Sequence, residues 1–108
     1  MNVTVEARDN VVIAYLIGEI DHHTASDVRE KIDSVISFKK PAHLIIDFRN
    51  VTFMDSSGIG LVMGRYRLMQ SINPLSDIEV KNVNSQTKKI MELAGLSRIA
   101  KIKETENE

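Results

Sequence analysis

The chain has no cysteine and no tryptophan. Without thiols, disulfides, iron–sulfur ligation and cysteine-based catalysis are excluded. Its only two prolines, Pro41 and Pro74, fall where helical patterns stop, and no repeat or low-complexity stretch appears. Neither sign of charge dominates: 14 basic residues face 15 acidic ones, for a formal net charge of −1. That balance argues against nucleic acid or an anionic membrane as the main partner. The longest apolar run, residues 11–17, is too short to span a bilayer. No basic segment followed by an apolar core opens the chain, so no signal peptide is expected. With 108 residues the chain is sized for one domain, which buries roughly 65% of its unfolded surface and folds without staples. The expectation is a soluble, cytoplasmic domain over residues 1–102, followed by a solvated charged tail over 103–108. So small a domain leaves little room for a deep substrate cleft, which weighs against an enzyme.

Residues 3–7 (VTVEA) alternate apolar and polar, the pattern of a half-buried strand. Arg8-Asp9-Asn10 supplies a turn. Residues 11–17 are apolar at both parities, as in an inner strand, and Gly18 closes them. Residues 21–38 take helical spacing, with Ala25, Val28, Ile32, Val35 and Ile36 on one face. Asp21 or Thr24 can cap that helix. Residues 44–48 (LIIDF) read as a buried strand, and 49–54 as a connection. A second helix over 57–72 carries Ile59, Val62, Met63, Tyr66, Met69 and Ile72 on a stripe. A strand over 78–83 alternates with one slip. Asn84 or Ser85 caps a third helix through Ala94, and Gly95 sits where a left-handed residue ends a helix. Residues 100–102 suit a short edge strand. The order β-β-α-β-α-β-α predicts an α/β fold with a small mixed β-sheet packed with helices. Consecutive right-handed crossovers put their helices on one face unless the strand order reverses.

One segment stands out: Phe53-Met54-Asp55-Ser56-Ser57-Gly58-Ile59-Gly60, with Gly64 a turn later. Each glycine inside a helix costs about 1 kcal/mol against alanine, and three near one helix start call for a reason. Gly60 and Gly64 are four apart and share a face, where absent side chains let another backbone approach. Ser56 and Ser57 sit at a helix mouth, whose free N–H groups favour a phosphate. Asp55 opposes it by like-charge repulsion. The plainer reading is that Asp-Ser-Ser is a capping sequence and no more. Exposed Ile59 or Leu61 beside the serines and glycines favours a functional one.

Other chemistries fit less well. The glycine spacing misses the dinucleotide fingerprint and there is no Walker lysine. Met54 stands where a nucleophile elbow needs glycine, although His22 and His23 could approach Ser56 from a neighbouring loop. Asp21, Asp47 and Asp55 invite comparison with aspartyl-phosphate receivers, but the first strand ends without paired acids and Asp47 lies within its strand. Adjacent His22 and His23 diverge on a helix and make a poor metal site, and His43 is remote, so no metal is expected. Arg65 and Arg67 read as solvated flanks, with Arg65 available to a partner.

Gly18-Glu19-Ile20-Asp21-His22-His23-Thr24-Ala25, followed by the Phe53–Gly60 block and Gly64-Arg65-Tyr66, resembles the anti-sigma-factor antagonists of the STAS family. The two blocks in this order are a stronger signal than either alone. The resemblance implies a partner-switching cycle. The unphosphorylated antagonist binds an anti-sigma factor that is itself a serine kinase, and so releases the sigma factor. The kinase, using ATP and Mg²⁺, phosphorylates the serine after the aspartate, which is Ser56 here. A separate phosphatase resets it. The chain itself needs no cofactor and no catalytic residue. Asp55, Ser57 and Gly58 flank the acceptor, with Ser57 as cap or helix start. Both blocks follow strands, so one composite surface is expected: Asp21, His22 and Thr24 beside Ser56, Ser57, Ile59 and Gly60, with Ile59 or Leu61 as apolar anchor. The alternative is an unswitched STAS interaction or scaffold module. Long family members carry a final helix where this chain has a short charged tail, which predicts either a more exposed sheet face or edge or a third helix shifted to cover it.

Overall fold

The computed structural model describes residues 2–106. Two strands, β1 (Val3–Arg8) and β2 (Val11–Ile20), form an antiparallel hairpin. Three crossovers follow: α1 (Ala25–Lys39) into β3 (His43–Met54), α2 (Ser56–Ile72) into β4 (Asp77–Val83), and α3 (Ser85–Leu93) into β5 (Lys101–Glu104). β2 to β5 run parallel, and the strand order is β1-β2-β3-β4-β5. The mixed α/β sheet expected from the pattern is thus present, without a reversal in strand order. All three helices therefore cover one face. α1 packs on β1 and β2, α2 on β3 and β4, and α3 on β5.

The core lies between that face and the helices. Val12, Ala14 and Leu16 of β2, Leu44 and Ile46 of β3, and Val80 of β4 meet Val28, Ile32 and Ile36 of α1 and Val62 and Met69 of α2. Among the described residues no helix covers the opposite face. Val11, Ile13 and Tyr15 of β2 and Ile45 of β3 are only half-buried there, and Ile17 is exposed. The apolar run 11–17 therefore does not mark a strand covered on both faces. Its outward side chains shelter one another on an open sheet, between charged neighbours such as Glu6, Asp47 and Lys81. The openness follows from the sequential strand order and needs no missing helix to explain it.

Several boundaries differ from the pattern reading. β2 runs on through Gly18, which adopts φ +81°, to Ile20. β3 takes in all of 49–54, expected as a connection. Two register shifts against β2 absorb its extra residues, so pairing continues although alternation is lost. The slip in β4 is Asn82, at φ +63°. β5 reaches Glu104, so the first two residues of the expected tail are strand. Lys103 pairs with Glu79 at 3.2 Å, Lys88 lies 3.9 Å from Glu104, and the Thr105 N–H donates to the Val83 carbonyl at 2.9 Å. Charge alternation on an exposed edge strand mimics a tail. Residues 107 and 108 of that tail lie outside the described residues. Gly95 has the left-handed φ of +87° expected of it, and buried Leu96 opens a short 3₁₀ turn.

Candidate functional site

The carboxyl ends of β2 and β3 lie side by side, with Ile20 opposite Met54. The Asp55 N–H donates to the Ile20 carbonyl at 3.2 Å, tying the two following loops together. This parallel neighbourhood brings the two sequence blocks to one end of the sheet.

The loop 21–24 is closed on itself. Asp21 Oδ1 accepts the N–H groups of His23 at 2.9 Å and Thr24 at 3.0 Å. Thr24 Oγ1 accepts the Asp21 N–H at 3.0 Å and donates to the Glu19 carbonyl at 2.8 Å. Thr24 is the N-cap residue of α1, but its side chain reaches back to the strand, leaving Asp21 to order the turn. The Thr24 N–H, helped by that of His23, holds the Asp21 carboxyl below its ordinary value against a smaller effect of desolvation. His22 and His23 are exposed, with ring centroids 4.0 Å apart.

At the mouth of α2 the cap is Asp55, whose Oδ1 accepts the Ser57 N–H at 2.8 Å. Ser56 is the first helical residue and is exposed. Among the described residues no hydrogen bond engages its hydroxyl. Ser57, expected as cap or helix start, is the second residue of the helix and does not cap it. Gly58 is buried, and a Cβ there would collide with the Met54 side chain folded beneath the turn. Its missing side chain thus serves internal packing. Gly60 and Gly64 differ: a Cβ at either would meet nothing within 4 Å.

Between α1 and α2 runs a groove of about 440 Å³, lined by His22, Ala25, Ser26 and Arg29 on one side and by Ser57, Gly60, Gly64 and Arg67 on the other. It joins His22 to Ser57 and Gly60, whereas Asp21, Thr24, Ser56 and Ile59, the other members of the expected surface, do not line it. The expected apolar anchor is overturned. Leu61 is buried, and half-buried Ile59 packs against the core, because the inward face of α2 is formed by Leu61, Val62, Arg65 and Met69. The large apolar side chains exposed at this end are Phe53 and Ile90, which border a small cavity of about 220 Å³ between β3 and α3.

Arg65 is the residue the pattern reading missed. It is 5% exposed, not a solvated flank. Its Nε lies 2.7 Å from Asp33 Oδ1, off the line of its N–H, while Nη2 donates to Asp33 Oδ2 at 3.2 Å and Nη1 to the Leu61 carbonyl at 3.3 Å. Burial raises the Asp33 carboxyl and lowers the Arg65 guanidinium from their ordinary values, with mutual attraction opposing both. The pair ties α1 to α2 beneath the groove. Its spacing was visible: Arg65 lies four residues from both Leu61 and Met69, on their face.

The receiver comparison dissolves in the geometry. Asp47 faces the open side of the sheet, where it accepts the Arg49 N–H at 2.8 Å and the Asn82 side-chain amide at 2.9 Å. Asn82 is the residue whose backbone is left-handed, at φ +63°. Asp21 and Asp55 are engaged at helix starts. The three carboxylates serve three separate structural tasks.

The STAS domain family matches residues 2–108. The chain belongs to the STAS family. It is 33% identical over 106 residues to the anti-sigma F factor antagonist of Paenibacillus polymyxa, covering 98% of this chain and 89% of the relative. It is 30% identical to the anti-sigma-B factor antagonist of Listeria monocytogenes over 111 residues, covering 100% of this chain and 95% of that one. The solved structure of SpoIIAA in its unphosphorylated form matches this STAS domain with a TM-score of 0.77 at 30% identity, over 93% of this chain and 86% of the other. The phosphorylated form matches with a TM-score of 0.72 at 30% identity, over 93% and 89%. No helix among the described residues of this STAS domain is long and apolar enough to cross a membrane.

Proposed function

We propose that this chain is an anti-sigma-factor antagonist switched by phosphorylation of Ser56. In its unphosphorylated form it binds an anti-sigma factor with serine kinase activity and so frees the sigma factor, acting in the cytoplasm. The kinase brings ATP and Mg²⁺; a separate phosphoserine phosphatase restores the hydroxyl. The chain is substrate and ligand in this cycle, and the catalytic groups belong to its partners.

The observation that carries this reading is the free Ser56 hydroxyl at the first position of α2, beside the loop 21–24. A kinase needs a hydroxyl that solvent can reach and that no internal bond holds. A phosphate there adds a charge of about −1.5 to −2. The helix N-terminus tolerates it, so the domain stays folded. Asp55 already occupies the capping N–H of Ser57, so the phosphate projects outward to where a partner would sit. Its like-charge neighbour and its hydration then oppose burial in the complex. A thousandfold loss of affinity needs only about 4 kcal/mol. The switch therefore works at the interface without rearranging the core. The likeness of this chain to both solved forms of SpoIIAA supports that view.

The test is incubation with the anti-sigma factor kinase of the same organism and Mg-ATP, followed by phosphopeptide mapping. The expected product is one acid-stable phosphate on Ser56. A hydroxylamine-labile phosphate on Asp47 or Asp55 would indicate a receiver instead. Binding without any phosphate would leave an unswitched interaction module.

A further inference from the structure

The groove between α1 and α2 has features that the fold does not explain. Its floor on α2 is Gly60 and Gly64, and no neighbouring atom requires a glycine at either position. Its rims carry Arg29 and Arg67, both exposed. Among the described residues neither arginine lies within ion-pair distance of a carboxylate. The acid beneath them, Asp33, is already engaged by Arg65. Asp27 and Glu30 of α1 stand outside the groove lining. The charge lining this cleft is thus of one sign. The cleft opens beside Ser57, next to the phosphoacceptor.

We infer that this groove receives an acidic segment of the anti-sigma factor, laid across Gly60 and Gly64 with its carboxylates between Arg29 and Arg67. This deepens the antagonist reading and rests on it. Guanidinium groups on both rims suit bidentate contact with carboxylates. A floor without Cβ atoms lets the partner's backbone approach α2 closely. The long-range part of the attraction steers encounter, and so acts on the association rate and weakens with salt. The segment lies beside Ser56. A phosphate added there places new negative charge next to the partner's own acids, which adds repulsion to the steric effect.

Binding of the full chain to the purified anti-sigma factor of the same organism decides the matter, by surface plasmon resonance at about 50 and about 500 mM NaCl. Arg29→Glu and Arg67→Glu should each reduce affinity about tenfold or more, mostly in association rate, with a flatter salt dependence. Lys31→Glu on α1, outside the groove, should leave binding near wild type. Gly60→Ala and Gly64→Ala should weaken binding while the thermal midpoint holds or rises, because alanine favours the helix and meets no neighbour. Loss of binding with gain in stability separates an occupied groove from a folding defect. Wild-type affinity in all four groove variants overturns the inference while leaving the antagonist reading intact. Failure of the wild-type chain itself to bind overturns both.

Discussion

Two hydroxyl residues stand at the same end of the sheet, one at the start of α1 and one at the start of α2, and they have opposite fates. Thr24 accepts from the Asp21 N–H and donates to the Glu19 carbonyl, so both capacities of its oxygen are used. Ser56 is exposed, and among the described residues nothing bonds to its hydroxyl. Each follows an aspartate that accepts from a backbone N–H two residues on, His23 from Asp21 and Ser57 from Asp55. The difference lies in where the hydroxyl falls relative to its aspartate. Thr24 comes three residues after Asp21 and folds back into the ring of bonds. Ser56 comes directly after Asp55, at the first helical position, where Asp55 has already taken the capping N–H of Ser57. Local geometry alone thus makes one hydroxyl a structural part and the other an available acceptor.

The comparison breaks most visibly at Ser56. Phosphorylation there should weaken binding to the anti-sigma factor about a thousandfold, or about 4 kcal/mol. Ser56→Asp, with a single charge and no phosphate geometry, should lose about tenfold or more, and Ser56→Ala should bind persistently. Titration calorimetry of the three forms against the unmodified chain checks this. Equal affinity for Ser56→Ala and Ser56→Asp would remove the switch from Ser56. Thr24 should take no phosphate under the same conditions.

At Thr24 the effect should appear in stability. Thr24→Val keeps the shape but leaves the Asp21 N–H and the Glu19 carbonyl without their partner. The group is partly solvated, so the cost should be about 1 to 2 kcal/mol in chemical denaturation. Phosphorylation of Ser56 by the kinase should continue, at a rate reduced only as far as the loop 21–24 helps docking. A Thr24→Val variant as stable as wild type would show that the ring of bonds does not hold the loop.

How much of this was legible in the sequence depends on the range of the signal. Caps and stops are local, and Asn84 and Gly95 were readable from neighbouring residues, whereas the cap of α2 belongs to Asp55 and not to the serines expected to supply it. Element order followed from periodicity. Three things were not readable. The extension of β3 through residues 49–54 depends on pairing with β2 across two register shifts, which abolish the alternation that marks a strand. For Arg65 the spacing places it on the inward face, but the partner that lets an arginine stay there, Asp33, lies on another helix and no local pattern shows it. The anchor assigned to Ile59 or Leu61 failed because glycines at 60 and 64 blur the stripe from which the inward face of α2 is judged. The surface of α2 then proves to be the glycine side, and apolar exposure moves to Phe53 and Ile90.

A smaller test concerns the division of labour at α2. Asp55→Ala should cost about 1 kcal/mol, the usual value of a lost N-cap. Ser57→Ala should change stability by no more than about 0.5 kcal/mol, since its side chain does not cap the helix. Thermal melts of the two variants side by side check the order. If Ser57→Ala were the more damaging, the cap would belong to the second serine, and Ser56 would lie before the helix.

The finest distinction is in acid. The Asp21 carboxyl is held below its ordinary value by the Thr24 and His23 N–H groups, so the folded chain takes up this proton at lower pH than the unfolded chain. Its contribution is therefore whole above the ordinary aspartate range and fades as pH falls from that range through the lowered folded value. Asp21→Asn keeps an oxygen to accept the same two bonds but cannot titrate. Wild type and Asp21→Asn should accordingly converge in stability as pH drops below about 4, the wild type losing its advantage and the variant showing no matching loss. Denaturation curves at a series of acid pH values follow that convergence. Parallel curves throughout would mean that Asp21 orders the loop through shape alone, and that its charge contributes nothing to holding Thr24 closed while Ser56 stays open.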